Sequence, residues 1–407
     1  RKIETAHRFV AEAHEAGVIL GTGQSANGRH IGLDGKTYLN FGSCSYLALE
    51  RRPELREPAH LALDEFGTQF HFSRAYLQCP LYPELESLLE RIAGRPVVVA
   101  ASTSLAHMAA LPVLIRDEDH IAIDQFAHAS LHTAVQLLPK VPLHILRHNR
   151  MDQLDTLLTR LGQGRGKVWY VADGLYSMTG DFAPFEELAR LLDKHPQLRL
   201  YLDDAHSTSW LGRNGRGVAL DHFAADERVV VALSLNKAFS AAGGALALPR
   251  RELATRIRRC GGPMLFSGPI QPPMLGAAVG SARLHLSDAF PALQAELYER
   301  IALCEDAVGE AKLALASAAR TPIFQAQCGS PRMAFRVAEL VRAQGYYCCV
   351  CVFPAVPMNR PGIRFTVTRH NALEDVQPFV RTLATAVSEA ADELAKERRR
   401  EVSVQLT

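Results

Sequence analysis

The feature that most constrains this chain is a series of short, mostly apolar segments separated by stretches with helical spacing. Val97-Val-Val-Ala-Ala101, His120-Ile-Ala-Ile-Asp124, Leu143-His-Ile-Leu146, Val168-Trp-Tyr-Val-Ala172, Leu198-Arg-Leu-Tyr-Leu-Asp203 and Val229-Val-Val-Ala-Leu-Ser234 each have the length of a strand. Between them, 104–115, 129–138, 151–161 and 184–194 repeat apolar residues with a helical period. Strands apolar on both faces must be covered on both faces, and helical crossovers supply the cover. The pattern predicts an α/β fold with a mostly parallel sheet between helices.

Past about Pro273 the pattern changes. Residues 277–315 read as long and helix-rich, short strands are expected around Ile323, Arg332 and Val350, and a last helix is expected from Ala372. A chain of 407 residues exceeds the size at which one core usually stops growing. We therefore expect a large domain over 49–280, a small α+β domain over 281–407, and an N-terminal segment, 1–48, packing with the small one.

Charge narrows the partners. Forty-five Lys and Arg stand against 43 Asp and Glu, a formal +2, so nothing in the balance points to nucleic acid or to an acidic membrane surface. No apolar run approaches the length of a membrane span, and the first residues, Arg1-Lys-Ile-Glu4, lack the apolar core of an export signal. The eight cysteines are scattered, which fits a reducing cytoplasm. Only Cys348, Cys349 and Cys351 cluster, within Tyr346-Tyr-Cys-Cys-Val-Cys-Val-Phe353, and alternation there reads as a strand with side chains on opposite faces rather than a metal site. Small-molecule chemistry without a metal is the expectation.

In open α/β sheets ligands sit beyond the carboxyl ends of the strands. Asp203-Asp-Ala-His206 follows one apolar run, Ser234-Leu-Asn-Lys-Ala-Phe239 closes another, and Ser102-Thr-Ser104 follows the first and opens a helix. A lysine, a carboxylate, an imidazole and a hydroxyl-rich helix start on neighbouring strand ends are the groups pyridoxal 5′-phosphate needs. Lysine binds the aldehyde, a buried carboxylate keeps the ring nitrogen protonated, and backbone amides with hydroxyls hold the phosphate. Lys237 and Asp203 have the right types and setting, and Ser234 and Ser267 could add hydroxyls. Taken singly, each has a plainer explanation: Asp-x-x-His as a turn with a helix cap, Lys237 as a solvated lysine, His128 as a cap or packing residue, Ser-Thr-Ser as an ordinary helix start. Their joint placement at strand ends carries the inference.

The same residues resemble the α-oxoamine synthases, fold-type I pyridoxal-phosphate enzymes that include amino-oxononanoate synthase, aminoketobutyrate ligase and serine palmitoyltransferase. The likeness runs from about Tyr38 to Asp375, through Asn40-Phe-Gly-Ser-Cys-Ser-Tyr-Leu-Ala-Leu49, Asp124-Gln-Phe-Ala-His-Ala-Ser130, Gly174-Leu-Tyr-Ser-Met-Thr-Gly-Asp181, Asp203-Asp-Ala-His-Ser207, Leu211-Gly-Arg-Asn-Gly-Arg-Gly217, Ser234-Leu-Asn-Lys-Ala-Phe239, Phe266-Ser-Gly-Pro269 and Pro354-Ala-Val-Pro357. It implies a seven-stranded sheet in the large domain and a homodimer with shared sites. It further implies that Lys237 binds the aldehyde, Asp203 pairs with the ring nitrogen, His206 donates to the phenolic oxygen and His128 stacks on the ring. Ser177 matches the serine beside that oxygen, Ser234 matches a phosphate-binding hydroxyl, and Ser267 reaches the phosphate from the neighbouring subunit, whereas Ser102-Thr103-Ser104 stands where the family has a Ser-Gly-aromatic phosphate loop. In Gly362-Ile-Arg-Phe-Thr-Val-Thr368, Arg364 falls on the arginine that grips the substrate carboxylate, with Ser45 and Arg74 beside the substrate.

Departures stand beside these matches. Gly67-Thr-Gln-Phe-His-Phe-Ser-Arg74 places bulky side chains where the family has small ones, which implies a reshaped entrance around Gln69–Phe72, and His107 replaces the family's asparagine. Phe126-Ala-His-Ala-Ser130 and Tyr76-Leu-Gln78 resemble the quorum-sensing autoinducer synthase branch more than the biosynthetic members. The activity implied is a decarboxylating Claisen-type condensation of an α-amino acid with an acyl thioester, on coenzyme A or a carrier protein, giving an α-aminoketone in a biosynthetic pathway. The alternatives on the same scaffold are aldol-type bond formation, transamination or decarboxylation, or a catalytically silent partner subunit.

Overall fold

The computed structural model describes residues 2–162, 164 and 166–405. The chain forms two compact units, one of Leu47–Tyr176 with Phe182–Gln294 and one of Arg1–Tyr46, Ser177–Asp181 and Ala295–Thr407.

The first unit is built on a seven-stranded sheet ordered Val97–Ala100, Gly244–Ala247, Val229–Ser234, Leu198–Asp203, Val168–Asp173, His120–Asp124 and Leu143–Leu146. All six apolar runs are strands, and the five from Val229–Ser234 to Leu143–Leu146 pair in parallel. The seventh, Gly244–Ala247, runs antiparallel to both its neighbours. Helices Thr103–Leu114, Ala129–Val135, Met151–Leu161 and Phe185–Lys194 take the expected crossover positions.

Alternation along each strand feeds two cores, one on each face. Val97, Val99, Tyr170 and Ala172 belong to one apolar cluster, and Val98, Ala100, Trp169 and Val171 to the other. Each fully buried Val, Leu or Ile stabilises the fold by roughly 1.5–3 kcal/mol, so the sheet is a rigid base for whatever its carboxyl ends carry.

The second unit holds a three-stranded antiparallel sheet, Ile323–Gln327, Gly362–Thr366 and Cys349–Cys351, and a four-stranded sheet, Gly23–Ala26, His30–Leu33, Lys36–Asn40 and Tyr346–Tyr347. An aromatic stack binds it together: Phe41 lies on Phe379 with centroids 3.9 Å apart, and Phe379 meets Phe365 edge-on at 5.2 Å. Leu373–Gln405 is the long final helix.

Two local expectations are corrected here. Arg332 lies in a helix, Pro331–Ala343, not a strand. Ser330 caps that helix by accepting from the Met333 N–H at 3.2 Å, proline occupies its first turn, and Ala334, Val337, Ala338 and Val341 form one buried stripe. The segment 346–353 is two strands rather than one. Tyr346–Tyr347 pairs with Leu39–Asn40, whereas Cys349–Cys351 pairs with Gly362–Arg364. The backbone satisfies its hydrogen bonds in two different sheets, and an unbroken apolar run does not reveal which neighbour each half will find.

Candidate active site

At the carboxyl ends of the parallel strands the chain turns five times toward one concavity. Its lining includes Ser102, Thr103, Ser104, His128, Asp203, His206, Ser234 and Lys237, together with Ser130, Asp173, Ala205 and Asn236.

Lys237 follows Val229–Ser234 in a tight 3-10 turn, Lys237–Phe239, and sits at φ +47°, with Ser240 at +62°. Left-handed backbone is unfavourable for side chains with a Cβ, so the turn has to be held from several sides. Ala241 N–H bonds Leu235 O at 2.9 Å, Leu235 N–H bonds Gly243 O at 3.1 Å, and Ser281 Oγ donates to Phe239 O at 2.7 Å. Ser234 Oγ accepts from Asn236 N–H at 3.2 Å.

Asp203 ends Leu198–Asp203 and is 6% exposed. Its Oδ1 accepts the Ala205 N–H at 3.1 Å and its Oδ2 lies 2.9 Å from His107 Nε2. His107, fully buried on Thr103–Leu114, contacts Tyr201 OH through Nδ1 at 2.9 Å. A carboxylate can only accept, so Nε2 carries the proton and Tyr201 donates to Nδ1. Burial pushes the Asp203 carboxyl up, but His107, Lys237 and His128 outweigh it and hold Asp203 below the ordinary carboxylate range.

The helix Thr103–Leu114 starts against this group. Ser102 caps it, accepting the Leu105 N–H at 3.2 Å, and Ser102, Thr103 and Ser104 at the start of the helix line the concavity. Gly244 makes the close approach possible: a Cβ there would sit 2.4 Å from Thr103 N. His206 is 7% exposed, and its carbonyl takes the Trp210 indole N–H at 2.6 Å.

A hydroxyl-lined helix start, a lysine and an ionised buried carboxylate in one concavity fit the three ends of pyridoxal phosphate: phosphate, aldehyde and ring nitrogen.

Five expected residues are not among that lining. Ser267 ends the helix Gly262–Phe266, half-buried and away from the concavity lining. Arg74 is also absent from that lining. Its guanidinium donates to Val99 O at 2.5 Å and to Gln78 Oε1 at 2.7 Å, approaches Glu86 at 3.3 Å and lies 3.6 Å over the Tyr82 ring, so its donors are committed inside the unit. The bulky stretch before it is ordered, with His71 stacked on Phe72 at 4.3 Å and Ser73 Oγ donating to Leu265 O at 2.6 Å. Arg364, Ser177 and Ser45 belong to the second unit. There Arg364, 6% exposed, donates from Nε to Ser177 O at 2.7 Å and from Nη2 to Cys44 Sγ at 3.6 Å. Ser45 is half-buried, its N–H on Ser43 Oγ at 3.0 Å.

Two groups escape a reading by sequence, one in the pocket lining and one buried behind it. Asp173 follows directly on the apolar run 168–172, and the strand-end rule that picks out Asp203 applies to it equally. His107 stands out in the sequence as a departure, yet its partners are 94 and 96 residues away; the available signal is that Tyr201 and Asp203, two apart on a strand, share a face.

A family model described as aminotransferase class I and II matches residues 36–382. A putative 8-amino-7-oxononanoate synthase of Desulforudis audaxviator is 32% identical over 89% of this chain and 91% of its own length. An 8-amino-7-oxononanoate synthase of Symbiobacterium thermophilum is 30% identical over 86% and 89%. Among solved structures, the serine palmitoyltransferase of Sphingomonas wittichii superposes with a TM-score of 0.87 at 21% identity, covering 96% of this chain and 99% of that one. The 8-amino-7-oxononanoate synthase of Francisella tularensis gives 0.71 at 20% identity, over 86% and 98%.

Proposed function

The chain belongs to the class I and II aminotransferase family, in its α-oxoamine synthase branch, and on that premise we propose that it joins an α-amino acid to an acyl thioester with loss of carbon dioxide, giving an α-aminoketone. The cofactor is pyridoxal 5′-phosphate, whose protonated ring supplies the sink for electrons released at the amino-acid carbon. The observation that carries this reading is that Lys237, Asp203 and the start of the helix Thr103–Leu114 line one concavity.

Each residue then has a task. Lys237 would hold the aldehyde until the amino acid takes its place, and its freed Nζ would then take the substrate's α-proton. Asp203 sets a negative charge against the ring nitrogen, and His107 fixes the direction of that carboxylate. The amides after Ser102, with the Ser102, Thr103, Ser104 and Ser234 hydroxyls, hold the phosphate. His128 covers the ring face, and His206 donates to the phenolic oxygen, with Ser177 beside it. Arg364 takes the amino-acid carboxylate with Ser45 nearby, a pairing suited to a planar guanidinium. Ser267 serves the phosphate site of a second copy, so the working form is a homodimer. The acyl group arrives on coenzyme A or on a carrier protein, and the enzyme works in the cytoplasm.

Purified protein supplied with the cofactor is expected to show an absorbance band near the visible edge that borohydride removes. Mixed with candidate amino acids and acyl thioesters, it should release free thiol and carbon dioxide in step with aminoketone. Aminoketone formed without thiol would replace the condensation by another reaction on the scaffold. Absence of any reducible band would make the chain a silent partner.

A further inference from the structure

Asp173 has no task in the chemistry above, yet it stands at its centre. It ends Val168–Asp173, pairs in register with Asp203 on the adjacent parallel strand, is 3% exposed and lines the same concavity. Its Oδ1 accepts the backbone N–H of His128 at 2.9 Å.

His128 is held at a second point. As the cap of Ala129–Val135 it has φ −54° and ψ 144°, and its Nδ1 lies 2.7 Å from Ser130 Oγ and 3.3 Å from Ser130 N. The Ser130 N–H can only donate, so Nδ1 carries the lone pair and the ring proton is on Nε2. Asp173 thus fixes the backbone of His128, and Ser130 fixes its ring. Two carboxylates side by side in a buried site do not both ionise readily. His107, Lys237 and His128 favour the charge on Asp203. Around Asp173, burial and the charges of Asp203 and Asp124 oppose ionisation, against the His128 N–H and Lys237, and its carboxyl is pushed well above the usual range.

We propose that Asp173 is a positioning residue that holds His128 over the cofactor ring as an uncharged hydrogen-bonding group, leaving the negative charge of the pair on Asp203. This rests on the reading of the concavity as the pyridoxal-phosphate site.

The test compares Asp173→Asn, Asp173→Ala and Ser130→Ala after reconstitution with pyridoxal phosphate. Asparagine retains an oxygen acceptor for the His128 N–H without charge; alanine does not. Asp173→Ala is expected to lower kcat by about tenfold or more and to shrink the induced circular dichroism of the bound cofactor by about half, as expected when a supporting residue is lost. Asp173→Asn should stay within about threefold of wild type on both readouts. Ser130→Ala should shrink the same dichroism signal through the ring anchor. Thermal unfolding of the cofactor-free proteins reports folding separately, and if Asp173→Ala fails to fold, Asp173→Asn and Ser130→Ala decide. Asparagine as damaging as alanine would overturn the uncharged role. Full dichroism in a folded Asp173→Ala protein, or in Ser130→Ala, would overturn the positioning role while leaving the cofactor reading intact. A wild-type protein with no reducible band would remove both.

Discussion

At the end of the strand Leu198–Asp203 the pocket wall and the turn behind it meet in two consecutive buried aspartates. Asp203 faces the imidazole of His107, with Lys237 and His128 near it, and is drawn toward the charged form. Asp204 faces the Ser207 hydroxyl at 2.5 Å and the Ala219 N–H at 2.9 Å, close enough to Gly174 that a Cβ there would lie 2.5 Å from its oxygen. Burial, with the neighbouring carboxylates, pushes it up to about 7, the two hydrogen bonds only partly offsetting them. Two side chains of one type, one peptide bond apart and equally dry, differ because of what each faces. Burial alone predicts neither charge state; the partner set decides. Asp203 is arranged to present a charge, Asp204 to tie the turn 204–207 to the start of the helix Val218–Phe223.

The comparison can be broken most directly at Asp203. Asp203→Asn should keep its shape and bind cofactor but lose about 10²-fold or more in turnover, because it removes fixed charge from where the reaction needs it. Cofactor absorbance and steady-state rates on one preparation check this, and an active Asp203→Asn protein would undo the contrast. His107→Ala removes only the group that aims Asp203; about tenfold loss in kcat is expected, with cofactor retained. The smallest effect belongs to the turn. Asp204→Asn should turn over close to wild type, and its signature is stability against pH. The folded state raises the Asp204 value, so between about 4 and about 7 it holds a proton that the unfolded chain releases. Raising the pH through that window therefore weakens wild type relative to Asp204→Asn, by at most about 4 kcal/mol. Denaturant titrations at both ends of the window measure it, and parallel stability curves for the two proteins would sink the assignment.

Much of this was open to inspection in the sequence, for physical reasons that also mark where inspection fails. The apolar strand runs are legible because a sheet covered on both faces leaves no polar alternation to confuse with anything else. Lys237, Asp203 and Ser102–Ser104 are legible because each lies at, or within three residues of, the end of such a run. Gly244–Ala247 is harder: its reversed direction depends on pairing with Val97–Ala100 and Val229–Ser234, which no local pattern encodes. The apparent strand spacing around Arg332 misleads, because the Ser330 cap and Pro331 there announce a helix. The contacts of His107 and Asp173 are tertiary, joining strands and a helix far apart in the chain, so residue type suggests them and only folding assigns them.

The backbone at Lys237 has one more implication. A side chain twisted to φ +47° is disfavoured by about 1–2 kcal/mol, and glycine would relieve that. Durability and reactivity are therefore opposed at a single residue, and the sturdier protein would be the one with no amine left to hold an aldehyde.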